Sequence, residues 1–464
     1  MWGNNISRIL SLLVITPLVL TRFTTPEVAI WYLFSSFIVL GALIDFGFSP
    51  VIVRLVSYAA AGSKSLQPKK DTIEIDKNVK KEINWEMLEK LYGSINVIYT
   101  ILSLVLFLLL STLGSYLVSK QLLLLEDSDY YWSVWTVMCF GLSIGFYGKR
   151  YDSLLKGLNY ITLVNKWEIV TNLFTGVSLL AVLLLGGGIL DLVLCTQIWV
   201  VINICIKRII TKRIHGGRIS IFIKYYIEKS VLNKIWSPSW RTGIITINSH
   251  VLLQFSGIIY SQYANAVELA SYLFSLKLMS IANQLSWAPF YSKIPIYSKL
   301  RIQNKIDELY RLSCKGLKFS LLVFLFISIS IGLSANYVLE LIQASTNIVP
   351  YKLWLLMVIV WFLDRQSAMH SQIYMTTNKV PFYVTYSVSG AIYILLLFIT
   401  IETYGMWSPV ISMLIANSMI NNWWNVSISL KSLNKSFNDY FRHYLSAPLL
   451  LLVLYIIIIL IINY

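Results

Sequence analysis

Apolar runs of about twenty residues, separated by short polar stretches, recur from one end of the chain to the other. A helix of about that length crosses a hydrocarbon layer of about 30 Å. Thirteen stretches approach it: Ile6 to Phe23, Val28 to Gly47, Tyr92 to Val118, Tyr130 to Gly148, Trp167 to Leu185, Ile189 to Ile206, Thr242 to Tyr263, Ala266 to Phe290, Leu317 to Ala335, Tyr351 to Met369, Phe382 to Glu402, Met406 to Trp424 and Ala447 to Ile462. None alternates apolar and polar positions as a lipid-facing barrel strand does. Helices are predicted, because lipid offers no partner to an unpaired backbone group.

Composition agrees. Hydrophobic residues make up 57% of the chain and charged residues 13%, with a mean hydropathy of +0.67. These values exclude an ordinary soluble domain. The first stretch carries Arg8 as its only preceding charge and no small-residue cleavage site, so it reads as a retained helix. Cys139, Cys195, Cys205 and Cys314 stand singly, without the close pairing of a zinc or redox motif, and read as packing residues.

A net charge of +16 would suit a nucleic-acid partner, but its placement excludes one. With the amino terminus inside, alternate connections and helix ends hold 34 of the 38 Lys and Arg. They cluster between Lys64 and Lys90, Lys149 and Lys166, Lys207 and Arg241, and Lys293 and Lys318. The opposite connections keep Lys120 and Lys352; Arg22 and Lys277 remain within helices. The basic charge is therefore topological. The outer hairpins, such as "TTPE", "GGG", "ANAV" and "TYG", leave no room for an outer catalytic domain, whereas the lysine-rich loop between helices two and three is long and reads as a surface tether.

The tetrapeptide Tyr-Leu-Phe-Ser occurs at Tyr32 to Ser35 in helix two and at Tyr272 to Ser275 in helix eight. Each copy follows an acidic residue, Glu27 or Glu268, and precedes a proline, Pro50 or Pro289, and then a basic residue, Arg54 or Lys293. That context suggests an ancient duplication. It divides the chain into an N-terminal six-helix lobe (1–206), a basic linker (207–241), a second six-helix lobe (242–427) and a C-terminal segment with an extra helix (428–464). An even number of helices per half makes the halves parallel repeats, an arrangement used by secondary transporters.

The opening stretch "TPLVLTRFTTPEVAIWYLFSSFIVLGALIDFGFSPVIVRLVSYAAAG" resembles bacterial polysaccharide flippases of the Wzx type, through Pro17 and Arg22, the "DFGF" of Asp45 to Phe48, and Arg54. Their superfamily also holds multidrug/toxin extruders and lipid II flippases. The long second loop and the thirteenth helix depart from the family's twelve-helix pattern. The resemblance implies an all-α integral membrane protein with twelve core helices in two six-helix, MATE-like lobes, sited in the bacterial inner membrane. It implies alternating-access flipping of undecaprenyl-pyrophosphate-linked oligosaccharide units, as in O-antigen (lipopolysaccharide) or capsule biosynthesis, coupled to H+ or Na+ and working beside a polysaccharide polymerase and a chain-length regulator. No cofactor is implied, and no Gly-x-x-x-x-Gly-Lys-Ser/Thr loop for ATP is present.

An anionic cargo calls for cations where charge is expensive. Lys277, about eleven residues into helix eight, fits that need; pairing with a carboxylate or snorkelling is the competing explanation. Arg22 and Arg54 are substrate-binding candidates that serve equally as interfacial anchors. Arg365 joins them, and its neighbour Asp364 is a gating or coupling candidate; adjacent on one helix, the two side chains diverge. Asp45 precedes Gly47 and Pro50, which predict a kink, so it is read as a gate residue or as half of a locking ion pair. His250 in helix seven is either a proton-coupling group or a structural histidine. Two competing functions remain. A multidrug/cation antiporter would need deep carboxylates, and a membrane polysaccharide polymerase would need large outer loops.

Overall fold

A computed structural model describes residues 15–38, 40–60, 62, 83–123, 125–222, 228–246, 252–377 and 381–462. Within these residues, helix occupies every one of the thirteen apolar stretches. Helix one is described over residues 15–22, and helix two runs in three pieces, Thr25–Phe37, Leu40–Asp45 and Phe48–Ala60. Helix three spans Trp85–Leu109, a π-turn at Leu110–Gly114 and Ser115–Leu122. Helices four, five and six are Ser128–Gly157, Ile161–Leu184 and Ile189–Arg213. Helix seven comprises Lys229–Thr246 and Leu252–Tyr260; helix eight is Ala266–Ser286, followed by the short Ala288–Tyr291 and Ile294–Ile302. Helices nine, ten and eleven are Ile306–Leu341, Tyr351–Met375 and Phe382–Tyr404. Helix twelve breaks at Ile420 into Ser408–Met419 and Asn421–Ser432, and helix thirteen ends the described chain as Ser446–Ile462 after a π-turn at Phe441–Leu445. Most of the lysine-rich loop between helices two and three lies outside the described residues.

The hairpins close as their sequences direct. Glu27 caps helix two by accepting from the Thr24 amide and hydroxyl at 2.8 and 2.9 Å, and Asn265 caps helix eight by accepting from the Glu268 amide at 2.8 Å. Helices overrun their apolar stretches at both ends. Helix four continues through Lys149 and Arg150 to Gly157, and helix six through Lys207 to Arg213, so basic residues that read as loop charges lie on helices. Helix seven begins at Lys229 and not near Thr242, because Val231 and Ile235 are buried and hold the extra turns down.

The chain forms two compact units, one mainly Phe37–Ile247 and the other Pro17–Ser36 with Asn248–Tyr464. In the first, helix four packs on helices two, three and six. Small residues permit that approach: a Cβ on Gly141 or Gly148 would stand 2.1 Å from Gln197 or 2.5 Å from Ile204 of helix six. In the second, helix ten packs on nine and twelve, eleven packs on twelve, and thirteen packs on nine and ten. Both repeated tetrapeptides belong to this unit and touch: the Tyr32 and Phe274 rings are 5.9 Å apart. Outward faces carry Leu104, Leu108, Phe326, Ile399 and Ile461 exposed, as lipid contact requires. By length and composition, six helical stretches among the described residues can cross a membrane.

Candidate functional site

Helix two breaks where Asp45 stands. Phe46 and Gly47 take positive φ of 39° and 76°, a conformation that glycine accepts freely and phenylalanine does not. Pro50 then sits in the first turn of the next piece, where its missing N–H costs nothing. The break is also clamped from outside, since a Cβ on Gly243 of helix seven would lie 2.7 Å from the Phe46 carbonyl oxygen. Asp45 Oδ1 accepts from Ser49 Oγ at 2.5 Å. Ser49 has one hydroxyl proton, so Tyr99 donates to Ser49 at 2.8 Å and Ser153 donates to Tyr99 at 2.9 Å. A directed chain of hydroxyls thus joins helices two, three and four and ends on the carboxylate.

Beside that chain, sequence reasoning missed a charged cluster. Lys207 of helix six is 5% exposed and pairs with Asp152 of helix four at 2.8 Å and Glu168 of helix five at 3.3 Å; Lys156 stands 3.9 Å from Glu168. Arg150, also buried, donates to Asn96 Oδ1 at 3.3 Å and the Tyr151 hydroxyl at 2.8 Å, with its guanidinium 3.7 Å from the Tyr147 ring centre. A usable signal was present: Lys149, Arg150, Asp152 and Lys156 recur at helical spacing directly after an apolar run, so they continue its helix.

In the second unit, Arg365 is 3% exposed and lies fourteen residues into helix ten, about 21 Å from its start at 1.5 Å per residue. Its Nε donates to Asn283 Oδ1 of helix eight at 3.1 Å and its Nη1 to Ser320 Oγ of helix nine at 3.2 Å, while Nη2 donates to the Asn283 carbonyl and Oδ1. The Phe324 ring lies 5.5 Å from the guanidinium. Among the described residues no carboxylate forms an ion pair with Arg365; neutral dipoles hold the charge. Asp364 is half-buried and close enough to Tyr291, Tyr386 and Arg365 to interact electrostatically without a salt bridge to its neighbour, as the divergence of adjacent side chains predicts.

A ladder of buried amides on helix twelve was also missed. Asn417 Oδ1 accepts from Ser389 at 2.7 Å and from Asn421 at 3.2 Å, and Asn425 donates to Ser367 Oγ at 2.8 Å. The four-residue spacing of asparagines in "ANSMINNWWN" was the available signal. Lys277 is half-buried, eleven residues into helix eight, about 16 Å from its start. Arg22 and Arg54 are exposed at helix ends or flanks, and His250 lies outside the described residues. The structure brings Arg365 together with residues of helices eight and nine, and Asp45 with residues of helices three and four.

No protein-family model and no curated protein sequence matches the chain. Solved structures do. A multidrug resistance MATE family transporter of the MOP superfamily, in an inward-facing conformation, aligns with a TM-score of 0.66 at 13% identity, over 93% of this chain and 99% of that one. The lipid II flippase MurJ, in an inward closed conformation, aligns with a TM-score of 0.65 at 13% identity, over 98% and 91%. A Vibrio cholerae MATE transporter in its bent form aligns at 0.54 with 16% identity, over 93% and 96%. The fold is therefore an all-α membrane fold of the MATE and MurJ type, with twelve core helices in two six-helix halves and a thirteenth at the C-terminal end.

Proposed function

We propose that this chain is a membrane flippase for an anionic lipid-linked saccharide, an undecaprenyl-pyrophosphate-linked oligosaccharide unit of O-antigen or capsule type, carried from the cytoplasmic to the outer leaflet of the bacterial inner membrane by alternating access. The observation that carries this reading is Arg365, a cation buried deep in helix ten whose hydrogen bonds go to amide and hydroxyl groups, with no salt bridge to a carboxylate among the described residues. A phosphate that displaced those neutral partners would exchange ordinary hydrogen bonds for charge-assisted ones about twice as strong. A carboxylate already paired to the arginine would have to be expelled first. Lys277, half-buried near the middle of helix eight, supplies a second cation in the same unit, while Arg22 and Arg54 suit recruitment at helix ends. Asp45, at the broken turn of helix two, and Asp364 are assigned to gating or coupling to H+ or Na+.

The test is leaflet-selective labelling of lipid-linked units in the host after deletion of the protein. Build-up on the cytoplasmic face, relieved by the wild type and not by Arg365→Ala or Lys277→Ala, is expected. Single units reaching the outer face normally would defeat the proposal.

Export of a cationic drug against H+ or Na+ is the second reading. It is favoured by the hydroxyl chain that terminates on Asp45, since a carboxylate poised by donors can release or take a cation. Efflux of a cationic dye that is lost in Asp45→Asn and retained in Arg365→Ala would establish it over the flippase.

A further inference from the structure

A cavity of about 620 Å³ lies in the second unit, between the short helix after helix eight, the first half of helix nine and the π-turn that opens helix thirteen. Its rim is basic. Lys293, Lys315, Lys318 and His443 border it, and Phe319 and Leu322 form its apolar continuation along helix nine. Lys315 and Lys318 are three residues apart and share a helix face, just where the apolar stretch begins. The Lys318 ammonium donates to the His443 carbonyl at 3.4 Å, which ties the π-turn to helix nine.

The charge balance here is unusual. Nearby, Lys435 pairs with Asp307 at 2.7 Å and Lys305 stands 3.8 Å from Glu308, yet among the described residues no carboxylate forms an ion pair with Lys293, Lys315 or Lys318. Three ammonium groups around one cavity repel each other unless an anion joins them. The π-turn, an insertion that occurs often at functional sites, presents His443 and Tyr444 to the same space. Phosphate-sized negative charge at the rim, with hydrocarbon running past exposed Phe319 and half-buried Leu322, matches the pocket from end to end. Basic pockets between membrane helices recognise lipid headgroups in this way.

We propose that this pocket holds a resident anionic phospholipid of the bilayer, its phosphate on Lys293, Lys315 and Lys318 and one acyl chain along Phe319 and Leu322, which cements helix thirteen to helix nine. The lipid is not cargo, and the inference does not depend on what the protein transports.

The test titrates the purified full-length protein with phosphatidylglycerol and with phosphatidylcholine, read by native mass spectrometry. Phosphatidylglycerol is expected to bind at least about tenfold tighter and to raise the melting temperature. Each lysine contributes roughly fivefold, so Lys293→Gln with Lys315→Gln should weaken phosphatidylglycerol by about 25-fold and leave phosphatidylcholine unchanged. Lys212→Gln with Arg213→Gln removes equal charge from exposed positions at the end of helix six and should change affinity less than about twofold. Lys315→Gln alone, expected at about fivefold, serves if the double variant is poorly folded. The proposal is overturned if the two lipids bind equally, if the helix-six variant weakens binding as much as the pocket variant, or if millimolar inorganic phosphate displaces phosphatidylglycerol and so marks a site for a soluble anion.

Discussion

The fourth helix of each half carries a buried arginine, Arg150 in helix four and Arg365 in helix ten, and each arginine bonds an asparagine amide and faces an aromatic ring. Their surroundings differ. Around Arg150 the first unit gathers a lysine between two carboxylates and a hydroxyl chain that ends on Asp45. Around Arg365 the second unit offers the amide of Asn283 and the hydroxyl of Ser320, with Asp364 near but not bridged to it. A charge matched by opposite charges at 2.8 and 3.3 Å is fixed, because moving it strands two carboxylates in a poorly solvated site. A charge held by neutral dipoles can pass to an anionic ligand without such a loss. The first unit thus fixes a buried lysine between two carboxylates, whereas the hydrogen bonds of Arg365 in the second go to amide and hydroxyl groups, which suits the proposed binding of an anion there.

The strongest way to break this contrast is Lys207→Ala. It removes the ammonium that bridges Asp152 and Glu168, and should cost about 3 kcal/mol in thermal unfolding of the detergent-solubilised protein. Lys207→Arg, which keeps the charge, should recover most of that loss. Arg365→Ala should cost less, about 1 to 2 kcal/mol, because the Asn283 and Ser320 groups it abandons are neutral, yet it should abolish transport while the same assay on Lys207→Arg stays near wild type. A variant pair with the reverse order of stability loss would remove the proposed division of labour. Gly243→Ala sharpens the role of the helix-two break: the added methyl meets the Phe46 carbonyl and should lower stability by about 1 kcal/mol, with transport slowed more than binding in a cargo-binding assay. Asn425→Ala should be the mildest, about 0.6 kcal/mol, the average found for polar pairs between membrane helices. A larger loss would mean that the amide ladder, and not packing, holds helix twelve against ten.

Much of the fold was legible because it rests on local information. Apolar run length fixed where helices lie, and the tight turns around Thr24, Asn265 and Gly405 fixed the hairpins. Helix ends were less legible, since Lys149 to Gly157 and Lys229 to Thr246 carry polar residues that become helical only because a buried face holds them. The candidate residues followed the same division. Lys277 and Arg365 stood out as charges inside apolar runs, and Asp45 through the glycine that follows it. Lys207 did not, for it reads as one of many basic residues on a solvated connection.

By itself, then, the sequence determined the helices, their number and the asymmetric placement of basic charge, because hydrophobic length and turn chemistry act over a few residues. Which groups answer each buried charge was decided only by the tertiary structure. Asn283 lies 82 residues from Arg365, and Glu168 lies 39 from Lys207. Partners so distant in the chain meet only when helices pack, and no local pattern encodes which helix faces will do so.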